Sequence, residues 1–289
     1  MIANTLQCVM DGKPLTRLRA YQFKSDAFSK VYRDDGLYRC DHCGLVQAAT
    51  GCVDEALLRN YYQSEYRDVA EIASVKSRAS TDFFKARGTV LADLIDTIPD
   101  RVFEIGCGYG YNLAAVKARF ANAITCTDEL DGTVELPPFI ARADIGEGGW
   151  NVVILSHVLE HFVDPLSMLR TIRSALSPGG QIIIEVPNEE GDPRVAGPDE
   201  PHLTFYTRKT LRSIADAAGL RVTSLYTAGP ANPSRHQTST ARKIVKRIAL
   251  AVPWIKAMRA RSRPVRDGST DLVTHRQNGM YLRAVLRAE

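Results

Sequence analysis

The sequence predicts an α/β fold built on a doubly wound parallel sheet, and three segments carry this prediction. An apolar run, Val102–Ile105, ends in a glycine-rich turn that is followed by a helical pattern over 112–120. A second apolar run, 150–155, has the continuous hydrophobicity of a strand buried on both faces. An amphipathic segment over 166–176 then leads through a Pro-Gly-Gly turn to a third apolar run at 181–188.

The turn after the first strand, Gly106-Cys-Gly-Tyr-Gly110, is predicted to bind a ligand, and we call it the glycine loop. Glycine lets the backbone turn sharply and approach a ligand without a Cβ in the way. The dinucleotide fingerprint G-x-G-x-x-G needs its third glycine where this chain has Tyr111, so a dinucleotide is not favoured. With Glu104 the pattern is Glu-x-Gly-x-Gly-x-Gly, which resembles motif I of the class I S-adenosylmethionine-dependent methyltransferases.

A second stretch strengthens this resemblance. Residues 156–165 read Ser-His-Val-Leu-Glu-His-Phe-Val-Asp-Pro, similar to the strand-4 signature of small-molecule and sugar methyltransferases, H-x-L-E-H followed by x-x-D-P. The helix, Pro-Gly-Gly turn and strand that follow occur in the family's order, so the resemblance covers about residues 100–190. It implies a Rossmann-like, seven-stranded methyltransferase sheet, closed by an antiparallel last strand at 279–286.

The resemblance implies S-adenosylmethionine as cofactor. Asp128 follows the second strand, where a carboxylate can accept hydrogen bonds from both hydroxyls of a ribose, and Glu129 is its neighbour. In the family, a later strand-end acid and the apolar residue after it meet the adenine, and Asp144 and Ile145 fit that position. Tyrosines before the core help to cover the site, which implicates Tyr62 and Tyr66. The remaining residues assigned to the cofactor are Glu104, Gly106, Cys107, Gly108, Gly110, Ser156 and His157.

Histidines near the strand ends are the predicted catalytic residues. A hydroxyl acceptor needs a base near neutral pH, and the acceptor must lie about 3 Å from the methyl carbon. His157 follows the fourth strand and His202 ends the loop after the fifth, so both are predicted to line the acceptor cavity and either could be the base. His161 could share that face or simply cap or pack the helix. Glu160 is expected to orient the turn.

The amino-terminal residues contain a zinc-knuckle pattern. Cys40-Asp-His-Cys43 is a C-x-x-C turn, and Cys8-Val-Met-Asp11 has the same frame with aspartate in place of the second cysteine. The pair resembles a small zinc-binding module that precedes the core of several sugar methyltransferases. It predicts a zinc-ribbon-like module over 1–52 with one structural zinc on Cys8, Asp11, Cys40 and Cys43, and His42 as another ligand candidate. The alternative is a degenerate module without metal.

The predicted organisation then continues with a helical linker over 53–98, a core over 99–230, an insertion over 231–278 and the final strand over 279–289. Asp54 is predicted to cap the first linker helix, and Ser80 or Thr81 to begin the second. Within the insertion, residues 241–263 form a basic amphipathic pattern. This pattern fits either a helical flap or a segment that docks on an anionic membrane or a lipid-linked substrate.

Composition sets the remaining expectations. The 289 residues carry a formal net charge of +4 and six cysteines, with no apolar run long enough to span a bilayer and no signal peptide at the start. We therefore expect a cytoplasmic protein with reduced cysteines, with peripheral association at the inner membrane face as the alternative. Nucleic acid is not an expected partner, because the basic residues cluster in the insertion. The sequence leaves the oligomeric state open.

The function predicted from these features is methyl transfer from S-adenosylmethionine to a sugar, most simply on oxygen. The sugar would be part of a nucleotide sugar or a surface glycan, as in carbohydrate or polysaccharide biosynthesis, and this assignment rests on the amino-terminal resemblance. One alternative is a methyltransferase for a small natural product or a lipid-like acceptor. Another is a non-catalytic, cofactor-binding scaffold that recruits a partner.

Overall fold

The computed structural model contains two β-sheets. It describes the residue ranges 6–66, 78–129, 134–191, 199–231 and 279–288. Nearly all of the predicted insertion, with its basic segment, lies outside these ranges, so its predicted role stays a prediction. No helix within the described ranges is long and apolar enough to cross a membrane.

The larger sheet has seven strands in the order β10-β11-β8-β7-β4-β5-β6. Its strands are β4 (Arg101–Ile105), β5 (Ile124–Thr127), β6 (Ile140–Arg142), β7 (Trp150–Ser156), β8 (Leu176–Pro187), β10 (Leu220–Ala231) and β11 (Gly279–Ala288). Strands β4 to β8 pair in parallel, whereas β11 is antiparallel to both β8 and β10. This confirms the predicted seven-stranded, Rossmann-like sheet and its antiparallel last strand.

Helices cover both faces of this sheet. The α-helices within the described residues are α1 (Asp26–Val31), α2 (Glu55–Asn60), α3 (Arg78–Asp93), α4 (Tyr111–Arg119), α5 (Pro165–Ala175) and α6 (Arg208–Ala217). On β7, Val152 and Ile154 face the cluster formed with α3 and α4, while Val153 and Leu155 face α5 and α6. All four side chains are fully buried, as the apolar run predicts for a central parallel strand.

Two predicted boundaries are wrong. Helix α3 begins at Arg78, before the predicted start at Ser80 or Thr81. The Pro-Gly-Gly stretch lies within β8 and does not separate it from α5, because Leu176 already pairs with Trp150 on β7. A register shift after Trp150 accommodates the additional residues. The predicted cap at Asp54 is confirmed, since its side chain accepts a hydrogen bond from the amide of Leu57.

The smaller sheet combines the amino-terminal residues with a strand from the second half of the chain. Its order is β1-β2-β3-β9, where β1 is Leu15–Ala20, β2 is Gly36–Cys40, β3 is Val46–Ala48 and β9 is Thr204–Phe205. All of its pairings are antiparallel. In sequence β9 lies between β8 and α6, but it pairs with β3 of the smaller sheet. The segment from residue 199 to β9 therefore links the two sheets. The predicted division at residue 52 itself stays a prediction.

Two buried carboxylates anchor this segment on the amino-terminal residues. Asp199 is fully buried and accepts hydrogen bonds from both terminal nitrogens of Arg19, at 2.5 and 2.6 Å. Glu200 accepts the hydroxyl of Ser25 at 2.7 Å and that of Tyr61 at 3.1 Å. Because the Arg19–Asp199 ion pair has little exposure to water, salt screens it far less than it screens a surface ion pair.

Replacing Arg19 with methionine is expected to lower the free energy of unfolding by about 3 to 5 kcal/mol, because Asp199 would stay buried without its counter-charge. The matched control is Arg17→Met on the same strand, whose partner Asp35 is exposed, and its cost should stay below about 1 kcal/mol. Denaturant unfolding of the two variants measures both quantities. Equal destabilisation by the two changes would contradict the proposed anchor.

Candidate functional site

A cavity of about 760 Å³ lies at the carboxyl ends of the parallel strands of the larger sheet. This volume is in the range of pockets that enclose small-molecule ligands. Strand ends, the glycine loop, α2 and α3 and the loop before β9 all contribute to its wall. The lining residues include Tyr62, Tyr66, Arg87, Glu104, Gly106, Cys107, Gly108, Asp128, Glu129, Ser156, His157, Glu160, His161 and His202.

The glycine loop forms one side of the cavity in a conformation that favours glycine. Gly106 and Gly108 have φ angles of 59° and 55°, in the left-handed region. The amide of Gly106 donates to Asp128 Oδ1 at 2.9 Å, and the amide of Gly108 donates to Glu129. Both acids that follow β5 therefore face the loop and help to hold its backbone.

Glu104, at the end of β4, is a buried acid on the cavity floor. Its Oε1 accepts from Asn112 at 2.6 Å, while its Oε2 has no hydrogen-bond partner among the described residues. Burial raises the pKa of this carboxyl to about 8, and Asn112 and Arg87 act in the opposite direction. The free oxygen can accept a hydrogen bond from a ligand group.

His157 follows β7 directly and has a φ of 57°, unusual for a residue other than glycine. Its Nδ1 lies 3.5 Å from Glu160 Oε1, and its Nε2 lies 3.3 Å from Glu185 Oε1. Burial alone would lower the pKa of His157, but the two carboxylates outweigh it and the pKa is raised. The buried hydroxyl of Ser156 lies beside it without a hydrogen-bond partner in the described chain.

Three residues of the cavity wall lie close together, and we call them the histidine cluster: Glu160, His161 and His202. One donor atom from each lies within 4.8 Å of the others. Burial would raise the pKa of Glu160, yet the three neighbouring histidines, His157 first, lower it to about 2. Burial lowers the pKa of His202 to about 3, with His161 adding to the effect. The carboxyl is thus ionised and the His202 imidazole neutral at pH 7.

The two predicted tyrosines lie in the cavity wall at the end of α2. Tyr62 and Tyr66 pack edge to face with their ring centres 5.2 Å apart. The hydroxyl of Tyr62 lies 2.9 Å from His161 Nδ1. The aromatic wall and the histidine cluster therefore form one contiguous surface.

Three residues predicted for the cofactor lie outside the cavity lining. Asp144 is exposed and accepts a hydrogen bond from Gly146 at 2.6 Å, so it caps a short 3-10 turn. Ile145 packs against the core beside that turn. Gly110 precedes α4, and a Cβ there would lie 2.5 Å from Ile140 Cδ1, which indicates a packing role. Their assignment to the cofactor stays a prediction that the cavity does not support.

Two charged residues at the site, Arg87 and Glu185, are not among those predicted from the sequence. Arg87 reaches the cavity from α3, and no pattern in its sequence neighbourhood distinguishes it from other surface arginines. Glu185 is fully buried in β8, where it contacts Arg283, Arg87 and His157. An acid in the middle of the apolar run 181–188 was the signal that could have identified it.

A second group of metal-ligating side chains lies in the amino-terminal residues, and we call it the cysteine cluster. Its members are Cys8, Asp11, Cys40 and Cys43, and one donor atom from each lies within 4.8 Å of all the others. The sulfurs of Cys8 and Cys43 are 3.6 Å apart, and the Cys40 sulfur is 3.5 Å from Asp11 Oδ1. The sequence-predicted quartet is thus brought together by the fold.

His42 occupies a different position from the quartet. Its side chain is largely exposed, and its Nδ1 lies 2.8 Å from Asp11 Oδ2. Although burial would raise the pKa of Asp11, the contact with His42 helps to lower it to about 2. His42 therefore orients the Asp11 carboxylate, as residues around metal ligands commonly do.

Comparison with known proteins identifies a family. A family described as "Methyltransferase domain" matches residues 62–225, which is more than half of the chain. No curated protein sequence matches the chain significantly.

Solved structures of similar fold include those of two named methyltransferases. Mitomycin 7-O-methyltransferase is 14% identical with a TM-score of 0.46, and the similarity covers 80% of this chain and 60% of that protein. The plantazolicin methyltransferase in complex with SAH is 12% identical with a TM-score of 0.44, covering 81% of this chain and 96% of that one. The chain thus spans less than two thirds of the length of the mitomycin enzyme. At these levels of similarity, neither structure informs the substrate.

Proposed function

The chain belongs to the family of methyltransferase domains, and from this premise we propose that it transfers a methyl group from S-adenosylmethionine to a small-molecule acceptor. The observation that carries the proposal is the pairing of the glycine loop with Asp128 and Glu129 at one side of a ligand-sized cavity. The histidine cluster lines the same cavity, and we assign it to the acceptor. One cavity can therefore take both reactants.

The residues on the donor side fit the chemical groups of S-adenosylmethionine. Asp128 uses one carboxylate oxygen for Gly106, which leaves the other for the ribose hydroxyls. An ammonium beside Glu104 favours its ionised form, so the unpartnered Oε2 would accept from the ammonium of the amino-acid end, and Arg87 supplies a positive charge for the carboxylate of that end. The faces of Tyr62 and Tyr66 suit a neighbouring cation. When bound, the cofactor supplies a methyl group on a sulfonium.

His157 is the residue that we assign as general base. It lies on the cavity wall at the end of β7, and Glu160 and Glu185 flank its two ring nitrogens. These carboxylates stabilise the imidazolium that forms when His157 takes the proton of an acceptor hydroxyl. His202, the other predicted candidate, is a weaker base because burial lowers its pKa, and it instead lines the acceptor side.

A hydroxyl-rich acceptor such as a sugar fits this side of the cavity best. Glu160, His161 and His202 offer several hydrogen-bond acceptors and donors within a small volume. An apolar acceptor would leave the two buried oxygens of Glu160 without hydrogen-bond partners, at a cost of about 1 to 3 kcal/mol for each. We therefore propose a sugar acceptor methylated on oxygen.

We further propose that the cysteine cluster holds one structural zinc ion. Three thiolates and a carboxylate are a ligand set that zinc accepts in tetrahedral geometry. Burial raises the pKa of Cys43 to about 11, so the thiol is protonated without an ion and a bound cation would displace the proton. Because β3 follows this cluster and pairs with β9, the ion would also support the strand that carries His202 to the cavity.

Asp128→Ala is expected to lower the affinity for S-adenosylhomocysteine by about 10- to 100-fold, since hydrogen bonds to a charged acceptor contribute about 1.5 to 3 kcal/mol. Calorimetric titration measures the affinity. Asp100→Ala, an exposed aspartate just before β4, is the control and should bind like the unmodified chain. Asp128→Asn keeps an acceptor for the amide of Gly106, so the glycine loop should stay in place. This variant therefore shows how much affinity is lost with the charged ribose contact alone. An unmodified chain that fails to bind, or an Asp128→Ala variant with unchanged affinity, refutes the assignment.

Elemental analysis of protein purified without added metal is expected to give one zinc per chain. Cys40→Ser should reduce this content well below one, because a thiolate ligand is lost from the cluster. Cys52→Ser, a free cysteine outside the cluster, is the matched control and should keep its zinc. Zinc far below one equivalent in the unmodified chain would favour a module without metal. Retention of zinc by Asp11→Ala would move the fourth ligand elsewhere, with His42 the first to test.

A further inference from the structure

The histidine cluster has unused ligand capacity that methyl transfer by His157 does not explain. Glu160, His161 and His202 all line the cavity, and one donor atom from each lies within 4.8 Å of the others. The side chain of Glu160 is 1% exposed, yet neither of its oxygens has a hydrogen-bond partner among the described residues. Its contact with His157 is 3.5 Å, longer than a normal hydrogen bond. A buried carboxylate without hydrogen-bond partners is unfavourable unless a ligand with a positive charge or hydrogen-bond donors binds beside it.

The neighbours of His161 favour one of its tautomers. Its Nδ1 lies 3.3 Å from the carbonyl oxygen of Pro201 and 2.9 Å from the hydroxyl of Tyr62. A carbonyl oxygen only accepts, whereas a hydroxyl can accept or donate, so a proton on Nδ1 of the neutral ring satisfies both contacts. Nε2 then presents a lone pair, and it lies 3.8 Å from Glu160 Oε1. Two acceptors thus face each other across the cluster.

We propose that Glu160, His161 and His202 bind a divalent transition-metal cation at the acceptor side of the cavity. Two imidazoles and one carboxylate are a common ligand set for such ions, and the Nδ1–H of His161 on a backbone carbonyl is the usual arrangement around a ligating histidine. Ligand atoms about 2.1 Å from one ion lie about 3.0 to 3.5 Å apart, whereas the donor atoms of the cluster lie up to 4.8 Å apart, so the farthest pair must close by about 1.3 to 1.8 Å at most.

A cation bound by three protein ligands keeps open coordination positions for the acceptor. It would bind the acceptor hydroxyl oxygen and lower the pKa of its proton, which passes to His157. A carbon–oxygen bond to the methyl group then forms as the carbon–sulfur bond of the sulfonium breaks. This role rests on the proposed methyl transfer, whereas binding of the ion does not.

The test is a titration with Mn²⁺ of the full chain loaded with a single equivalent of zinc for the cysteine cluster, and electron paramagnetic resonance measures the free Mn²⁺. Mn²⁺ is chosen because a carboxylate ligand such as Glu160 suits it, whereas the thiolates of the cysteine cluster favour zinc. One Mn²⁺ per chain is expected. Glu160→Gln and His161→Gln should each weaken binding at least tenfold. Glu55→Gln, which changes another acid at the cavity, should not change it.

Two outcomes overturn the proposal. One is Glu160→Gln binding Mn²⁺ as tightly as the unmodified chain. The other is no bound Mn²⁺ in the unmodified chain together with no second equivalent of zinc in equilibrium dialysis. Calorimetry with S-adenosylhomocysteine on the same samples shows whether the donor side of Glu160→Gln is intact. Normal donor binding with no metal binding therefore rejects the metal site and leaves the proposed function standing.

Discussion

The parallel pairing of β4 with β5 and β7 is the constraint on which the site depends. It aligns Glu104 with Thr127 and with Ile154, so all three strands end at the same edge of the sheet. The residues that follow these ends are the glycine loop, then Asp128 and Glu129, then His157. Groups far apart in sequence are thereby brought to one cavity, and the buried apolar faces of the strands fix their relative positions.

The smaller sheet completes the cavity from the other side. His202 lies two residues before β9, and β9 pairs with β3, which follows the Cys40–Cys43 turn. Asp199 and Glu200 tie the same segment to the amino-terminal residues through buried hydrogen bonds. The amino-terminal residues therefore act on the site through backbone pairing and ion pairs. This arrangement gives a physical reason for a cysteine-rich module to accompany the larger sheet.

Local patterns in the sequence were sufficient for the sheet and the glycine loop. The run at 150–155 is apolar because both faces of β7 are buried, and the glycines recur because the loop is left-handed at Gly106 and Gly108. The quartet of the cysteine cluster could also be predicted, since a C-x-x-C turn has one compact geometry.

The remaining parts of the site depend on contacts between distant segments. Glu160 was expected only to orient a turn, because nothing nearby in sequence shows that His202, in the segment before β9, lies beside it. Arg87 enters the cavity only through the packing of α3. Asp144 illustrates the converse, since its place after β6 suggested the adenine, whereas the carboxylate instead caps a local turn. Strand order predicts which loops meet, but side-chain direction is decided by the competing local hydrogen bonds.

The central claim is that this cavity transfers a methyl group to a hydroxyl-rich acceptor with His157 as base. The most direct measurement is incubation with S-adenosylmethionine labelled on the methyl group and panels of nucleotide sugars, glycans and lipids, followed by mass spectrometry of the products. We expect a sugar product that carries one labelled methyl group on oxygen, and loss of this product in His157→Gln under conditions where that variant still binds the cofactor. Absence of any labelled product, or an equal rate in the His157→Gln variant, would contradict it.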